Sequence, residues 1–486
     1  MVARREGSGQ RRPRSARLTS IIVKFLTRIS DQRERANTVR AVARIGWRPC
    51  RPVYLAALLV VVCGCNRGAS PARTATEQAK AFGALPGLKA SPDEALQDAL
   101  AQVVAEGGTP ELLATASATG GENAAAALVA LFEGLDHQAI GAIRAEVDEL
   151  FPEGRFTFSP VQLERALRVG KRYEKERLGA RVALELPECR FPIAFEAGPA
   201  ADLGFLDMAV ICSRLEAFRA AEALAVHDVD TALESLRQML RMAECLAAEP
   251  HATVRLEAAF LRTDAFLVLQ AIAGDEGFQR RHAELAHGLL MQQLQRWPDD
   301  ALAWIGDRSA GMIFYEAVRS GQLEDFLTEA EIERLKEEDI FSEFEQAALR
   351  NVNGDELYYL TAMGRILESC EHPYHTRIDV FEDLRRDLHN KRNDADFPLL
   401  AGRFLLLDIE KGHVIQARDR ANCEGWAIAT ALAAGLAAKP IENNPLTGQP
   451  YRIERDGGTI LVSDIGTGEQ GDNPPWIIPD LSGPAE

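Results

Sequence analysis

The chain has 486 residues and a formal net charge of −17, with 47% hydrophobic and 26% charged residues. This length allows two or three domains and a substantial core. The first 53 residues contribute +11 to the charge, which leaves about −28 for the rest. Such an acidic body disfavours nucleic-acid binding and electrostatic attachment to anionic lipid.

An apolar run of about ten residues within Val53–Cys65 follows several arginines and ends in Val62-Cys63-Gly64-Cys65. The run is too short to span a bilayer, which takes roughly 18 or more apolar residues. It fits the apolar part of a secretory signal. Its last four residues resemble the lipobox of bacterial lipoproteins. The resemblance implies cleavage before Cys65, lipidation of that cysteine and anchoring at an envelope membrane, outside the cytoplasm.

Residues 1–64 as a whole are predicted to be a basic extension and a signal peptide. Because lipoprotein signals are short, Cys65 lies unusually far from Met1. Either translation starts later, for example at the codon of Val39, or the basic region before the apolar run is long. A basic nucleic-acid-binding arm is a third explanation, which export disfavours.

Residues 65–90 are predicted to be the lipid-linked cysteine and a flexible tether, since they combine polar residues with several helix breakers. From residue 91 to residue 440 the pattern predicts one helix after another. Cap-then-proline pairs mark helix starts at Thr109-Pro110 and Ser159-Pro160. We expect a mainly α fold, an irregular antiparallel helical array with an N-terminal helical piece over 91–180 and a main body over 204–440.

Two features subdivide this helical region. Residues 181–203 contain three prolines and predict an irregular loop, with a short strand at Arg181–Leu186. Residues 214–250 predict two helices around a turn at His227–Asp230. That pair resembles a tetratricopeptide-like hairpin, whose repeat is about 34 residues long. No second copy has the same spacing, which favours an irregular array over a regular solenoid.

Residues 441–486 are predicted to form a β-hairpin tail. Tyr451–Glu454 and Thr459–Ser463 are the expected strands, and Asp456-Gly457-Gly458 is a strong turn signal between them. About 35 residues of this tail resemble the C-terminal part of the major pseudopilins of the general secretion pathway. The matching residues are Asn444, Pro445, Gly448, Pro450, Tyr451, Ser463, Gly466 and Gly468.

The chain departs from pseudopilins at its start, where the lipobox replaces a prepilin processing site. Assembly into a pilus is therefore not expected. As a whole the chain resembles uncharacterised secreted lipoproteins of planctomycete-type bacteria, and this resemblance implies no particular activity.

The pseudopilin resemblance implies a calcium site in the loop after the second strand. Asp464, Glu469 and Asp472 would supply carboxylate oxygens, which calcium prefers. A polar, glycine-rich surface loop without metal is the alternative.

Cys370, His372 and His375 are an alternative set of metal ligands. Thiolate and imidazole suit zinc, but a structural zinc site needs four ligands and no partner cluster is evident. Alternatively, Pro373 simply marks a helix end. The five cysteines after Cys65 are sparse and do not have the spacing of a disulfide framework.

The sequence contains no Gly-x-Ser-x-Gly elbow, HExxH helix or Walker loop. We therefore expect a non-catalytic scaffold or protein-binding module rather than an enzyme. Its expected partners are the lipid bilayer, through acylated Cys65, and other proteins, with calcium as the one candidate cofactor. Two alternatives remain open: a secreted lipid-linked hydrolase with a carboxylate or metal site in a helical cleft, and a secretion-apparatus accessory.

Overall fold

The computed structural model describes residues 94–117, 122–322, 332, 341–394, 396–436, 441, 443–464 and 475–481. Over these residues the chain is mainly helical, with a small antiparallel sheet near its C-terminal end. The expected fold class is therefore confirmed. The predicted signal, Cys65 and the tether lie outside the described residues.

The first part of the described chain consists of short helices. They are α1 (Glu94–Ala105), α2 (Pro110–Ser117), α3 (Ala124–Ala130), α4 (His137–Leu150), α5 (Pro160–Arg172) and α6 (Glu174–Leu184), followed by a 3₁₀ helix at Phe195–Ala200.

The central helices are longer and pack against their neighbours in sequence. They are α7 (Phe205–Leu224), α8 (Val229–Ala247), α9 (Ala252–Ala273), α10 (Arg280–Gln295) and α11 (Asp300–Arg319). The helix pair predicted within 214–250 is confirmed. Asp228 caps α8 by accepting a hydrogen bond from the backbone N–H of Thr231 at 3.1 Å.

The last part of the described chain combines helices with the sheet. The helices are α12 (Phe341–Arg350), α13 (Val352–Ser369), α14 (Tyr374–Lys391) and α15 (Ile409–Ala433), with a π-helical turn at Ala401–Leu405 before α15. The strands are β1 (Arg452–Asp456), β2 (Thr459–Ser463) and β3 (Trp476–Pro479).

The predicted helix starts follow capping chemistry. Helix α5 begins at Pro160, and Ser159 and Gln162 form a reciprocal capping box. Helix α2 likewise begins at Pro110, directly after Thr109. Pro373 is the N-cap residue of α14 and so marks the start of a helix, whereas the preceding helix α13 already ends at Ser369.

The short strand expected at Arg181–Leu186 is wrong, because α6 continues to Leu184. The buried positions Arg177, Ala180, Ala183 and Leu184 follow helical spacing, so this stretch covers a helix face rather than alternating as a strand would. Irregular backbone begins only after Leu184.

The hairpin in the tail is confirmed, and the sheet has one strand more than expected. Gly457 and Gly458 both have positive φ, as a two-residue hairpin loop requires. Strand β3 pairs with the other edge of β2. Ile460, Val462 and Trp476 are buried on the face of the sheet that packs against α15.

Two clusters of buried apolar side chains make up the core, and α15 contributes to both. The first cluster contains the apolar faces of α7, α8 and α9 together with Cys423 and Trp426 of α15. The second contains those of α1, α11, α13 and α14 together with Ile409 and Ala417 of α15. None of the helices in the described part of the chain has both the length and the apolar character needed to cross a membrane.

Gly425 of α15 leaves room for the indole of Trp476, since a Cβ there would lie 2.4 Å from the ring. Gly425→Ala should therefore displace β3 and lower the free energy of unfolding by about 1–3 kcal/mol. Gly364→Ala is the control. Gly364 lies in α13 with no heavy atom within 4 Å of the added Cβ, so alanine should stabilise by up to about 1 kcal/mol. Guanidinium denaturation followed by circular dichroism measures the free energy of unfolding of both variants. Equal changes in the two variants would contradict this packing.

Candidate functional site

Of the three calcium ligands predicted in the tail, Asp464 alone lies in the described part of the chain. Asp464 directly follows β2 and is buried, and its Oδ2 lies 3.5 Å from the side-chain nitrogen of Asn444. Asn444 is itself buried in the turn before β1, where its Oδ1 accepts a hydrogen bond from the Leu446 N–H at 2.8 Å. Glu469 and Asp472 lie outside the described residues, so the calcium site stays a prediction.

The three zinc residues face different surroundings. The thiol of Cys370 is buried and donates to the carbonyl of Ile366 at 3.4 Å, and burial raises its pKa to about 12. His372 is exposed, whereas Nδ1 of His375 lies 3.3 Å from the carbonyl oxygen of Pro445. Across the described ranges, no three His, Cys, Asp or Glu side chains are grouped as a metal site requires.

A set of buried polar side chains lies along α15. His413, Gln416 and Asp419 recur at every third position and are all buried. This spacing places them on one face of the helix, toward α9, α11 and α14. Gly412 brings Trp304 of α11 close to this face, because a Cβ at position 412 would lie 2.4 Å from the indole. We use the name α15 polar cluster for the set of His413, Gln416, Asp419, Trp304, Arg255, Arg262, Asp300 and Arg377.

Arg262 of α9 and Asp419 of α15 form the strongest contact in the cluster. Arg262 Nε donates to Asp419 Oδ1 at 2.9 Å and a second guanidinium nitrogen donates to Oδ2 at 2.6 Å. Both side chains are buried, and the guanidinium also lies 4.6 Å from the ring centroid of Trp297. This bidentate geometry is the form in which a buried arginine–carboxylate pair is most stable.

Arg377 of α14 links the other end of the cluster. It donates to Asp300 Oδ2 at 2.9 Å and, through another nitrogen, to Nδ1 of His413 at 3.2 Å. Since Nδ1 accepts this bond, the neutral ring carries its proton on Nε2. His413 stacks on Trp304 with centroids 4.3 Å apart, and the Trp304 N–H donates to Gln416 at 2.9 Å. Burial, reinforced by the Arg377 charge, holds the pKa of His413 well below its ordinary value.

Arg255 of α9 is the least well paired member. Its side chain is 1% exposed and lies 3.7 Å from Asp300 Oδ1 and 5.0 Å from the ring centroid of Trp297. Burial, followed by the nearby charge of Arg262, lowers its pKa to about 10, so it remains charged at neutral pH. Three arginines then face two aspartates, which gives the cluster a net positive charge.

Similar charge pairs connect helices elsewhere in the body. Glu216 of α7 forms ion pairs with Arg177 and Arg181 of α6. Glu356 of α13 forms an ion pair with Arg319 of α11. Asp355 of α13 accepts hydrogen bonds from Tyr315 and from the backbone before α15. Each contact joins side chains at least 35 positions apart in the chain, so these charges act on helix position.

The α15 polar cluster joins helices through charged contacts, of Arg262 with Asp419 and of Arg377 with Asp300. Its central side chains are buried, and their charges are directed at one another. The sequence analysis did not identify the cluster. The available signal was the run of polar residues at every third position in a helix otherwise rich in alanine.

Asp419→Asn should leave Arg262 as a buried, poorly compensated cation and lower the free energy of unfolding by about 3–5 kcal/mol. Glu284→Gln breaks an exposed pair with Arg280 and should cost less than about 0.5 kcal/mol. Arg262→Met with Asp419→Leu removes both charges and should recover most of the loss. Urea denaturation measures the free energy of unfolding of all three variants. Similar losses of stability in the two single variants would contradict a structural role for the pair.

The protonation of His413 should make stability depend on pH. Below about pH 6.5 the unfolded chain takes up a proton on this histidine while the folded protein does not, so the free energy of unfolding falls as pH falls. His413→Gln keeps an acceptor for Arg377 and removes the titration. From pH 7 to pH 5 the free energy of unfolding of this variant should fall less steeply than that of the parent, by up to about 1.4 kcal/mol per pH unit. If the stabilities of parent and variant changed with pH in parallel, the protonation of His413 would not be the cause.

Comparison of the chain with protein-family models, with curated proteins and with solved structures gave no match. The family resemblances of the signal and the tail therefore rest on their own residues.

Proposed function

We propose that the protein is a membrane-anchored envelope lipoprotein whose helical body serves as a non-catalytic scaffold or protein-binding module. The observation that carries the proposal is the sequence Val53–Cys65, an arginine-flanked apolar run that ends in a small residue and a cysteine. Several lipid chains on one cysteine hold a protein stably at a membrane, since each buried methylene contributes about 0.8 kcal/mol.

The arrangement of charge in the body supports a scaffold. Most side chains of the α15 polar cluster and of the pairs at Glu216 and Glu356 are buried, where charged groups position helices. A group that catalyses must instead reach its substrate. Most of these charges therefore have partners within the protein, and Arg255 is the least well paired of them.

The acidic balance of the chain supports protein partners over nucleic acid. After the first 53 residues the charge is about −28, which repels phosphate backbones and steers basic surfaces toward the body. A lipid anchor adds to this by restricting the search for a partner to the membrane plane.

Cys65→Ala tests the anchor. In a bacterial host fed an alkyne fatty acid, the parent should become labelled and fractionate with membranes, because the thiol of Cys65 carries the lipid. Cys65→Ala should lose the label and leave the membrane fraction. Cys63→Ala is the matched control, two residues away in the same motif, and should behave as the parent. A labelled Cys65→Ala, or an unlabelled parent with an intact N-terminus in the cytosol, would contradict the proposal.

A further inference from the structure

The irregular segment after α6 lies along α8 and is held there by hydrogen bonds. At its start, Arg241 of α8 donates to the carbonyl of Leu184 at 3.4 Å. Further along, Arg190 donates to the carbonyl of Ala248 at 2.7 Å, and the N–H of Phe191 donates to Glu249 at 2.8 Å. The segment thus follows the last two turns of α8.

A second set of contacts holds the same segment from the other side. Asn123, the N-cap of α3, donates to the carbonyl of Arg190 at 2.7 Å and accepts from the Arg190 N–H at 2.9 Å. The N–H of Ala124 donates to the carbonyl of Glu188 at 2.7 Å. The backbone on both sides of Cys189 is therefore fixed in place opposite α8.

Cys245 of α8 lies within the stretch that this segment follows, between Arg241 and Ala248. Cys189 packs against the apolar cluster that contains Cys245, and its thiol lies close enough to the Cys245 thiol to interact with it. Both cysteines are free thiols in this structure, with Cys189 partly exposed and Cys245 buried. The thiol contact and then burial raise the pKa of Cys189 well above its ordinary value.

The other described cysteines have different neighbours. Cys370 donates to the carbonyl of Ile366, and Cys423 lies 3.8 Å from the carbonyl of Leu290. Cys212 lines a small cavity with Arg181 and Glu216. These three provide internal controls for any chemistry at the pair.

We propose that Cys189 and Cys245 are joined by a disulfide in the exported protein. This rests on the proposed envelope location, where thiols meet oxidants. One thiolate attacks a disulfide of an envelope thiol oxidant and forms a mixed disulfide. The second thiolate then displaces the oxidant and completes the Cys189–Cys245 bond. The two thiols lose two protons and two electrons, and the oxidant disulfide is reduced to a dithiol.

The bond would close a loop that contains α7 and most of α8. Such a link stabilises the fold chiefly by restricting the unfolded chain. Because the thiolate is the reactive form and the folded environment disfavours it at Cys189, oxidation should take place during folding rather than afterwards. The disulfide would then fix the segment after α6 on α8 for the life of the protein.

Peptide mapping of the full chain tests the pair. Protein from the membrane fraction of an expressing bacterium is denatured, alkylated with N-ethylmaleimide and digested without reduction. We expect a cross-linked peptide that joins Cys189 to Cys245, with Cys212, Cys370 and Cys423 alkylated. In a parallel arm, the full-length Cys50→Ser, Cys63→Ser, Cys65→Ser variant is reduced, unfolded and refolded in a glutathione redox buffer. This arm should give the same peptide without any need for export.

The two arms separate the pairing from the location. A cross-link in both supports the proposal. A cross-link only after refolding in glutathione would overturn disulfide formation in the exported protein and count against the envelope location, while leaving the pairing geometry intact. No cross-link in either arm would overturn the pairing itself.

A stability measurement provides a second readout. The denaturation midpoint of the oxidised parent should fall when the protein is reduced, whereas the midpoint of Cys189→Ala should not respond to reduction. Cys212→Ala is the control and should keep the response of the parent. A parent midpoint that is unchanged by reduction would contradict the disulfide.

Discussion

The burial of ionised side chains between helices is the constraint on which the rest of this structure depends. Helix α15 passes through both apolar clusters, and its polar face meets partners on α9, α11 and α14. Arg262 and Asp419 lie 157 positions apart in the chain, so their bidentate pair forms only in one placement of the two helices. Sliding α15 by a turn would leave buried charges without partners, at a cost of several kcal/mol.

Buried ion pairs of this kind specify position more than they add net stability. Apolar side chains of the same volume are often as stable or more so, but they tolerate other registers. In this body the registers matter because alanine-rich faces, such as the C-terminal half of α15, offer little shape to distinguish one helix placement from another. The internal charges and the acidic balance of the chain agree with the role we propose, in which the surface of a lipid-anchored body rather than its interior meets other molecules.

The sequence specified the local features of the fold and little of the candidate site. Caps such as Ser159 and the Gly457-Gly458 turn depend on neighbouring residues, so their positions could be predicted. The strand expected at Arg181–Leu186 failed because the helical packing of α6 outweighed a pattern that is ambiguous over six residues. The α15 polar cluster joins residues from four helices, and no local spacing encodes that. Cys370 shows the converse, since proximity to histidines in sequence did not orient its thiol toward them.

If α15 joins the two apolar clusters into one cooperative unit, both should open together. Hydrogen exchange followed by mass spectrometry across a series of guanidinium concentrations measures this directly. The account predicts that peptides from α8, in the first cluster, and from α13, in the second, converge on the same opening free energy as denaturant rises. Full exchange of one cluster at a concentration where the other stays protected would contradict it.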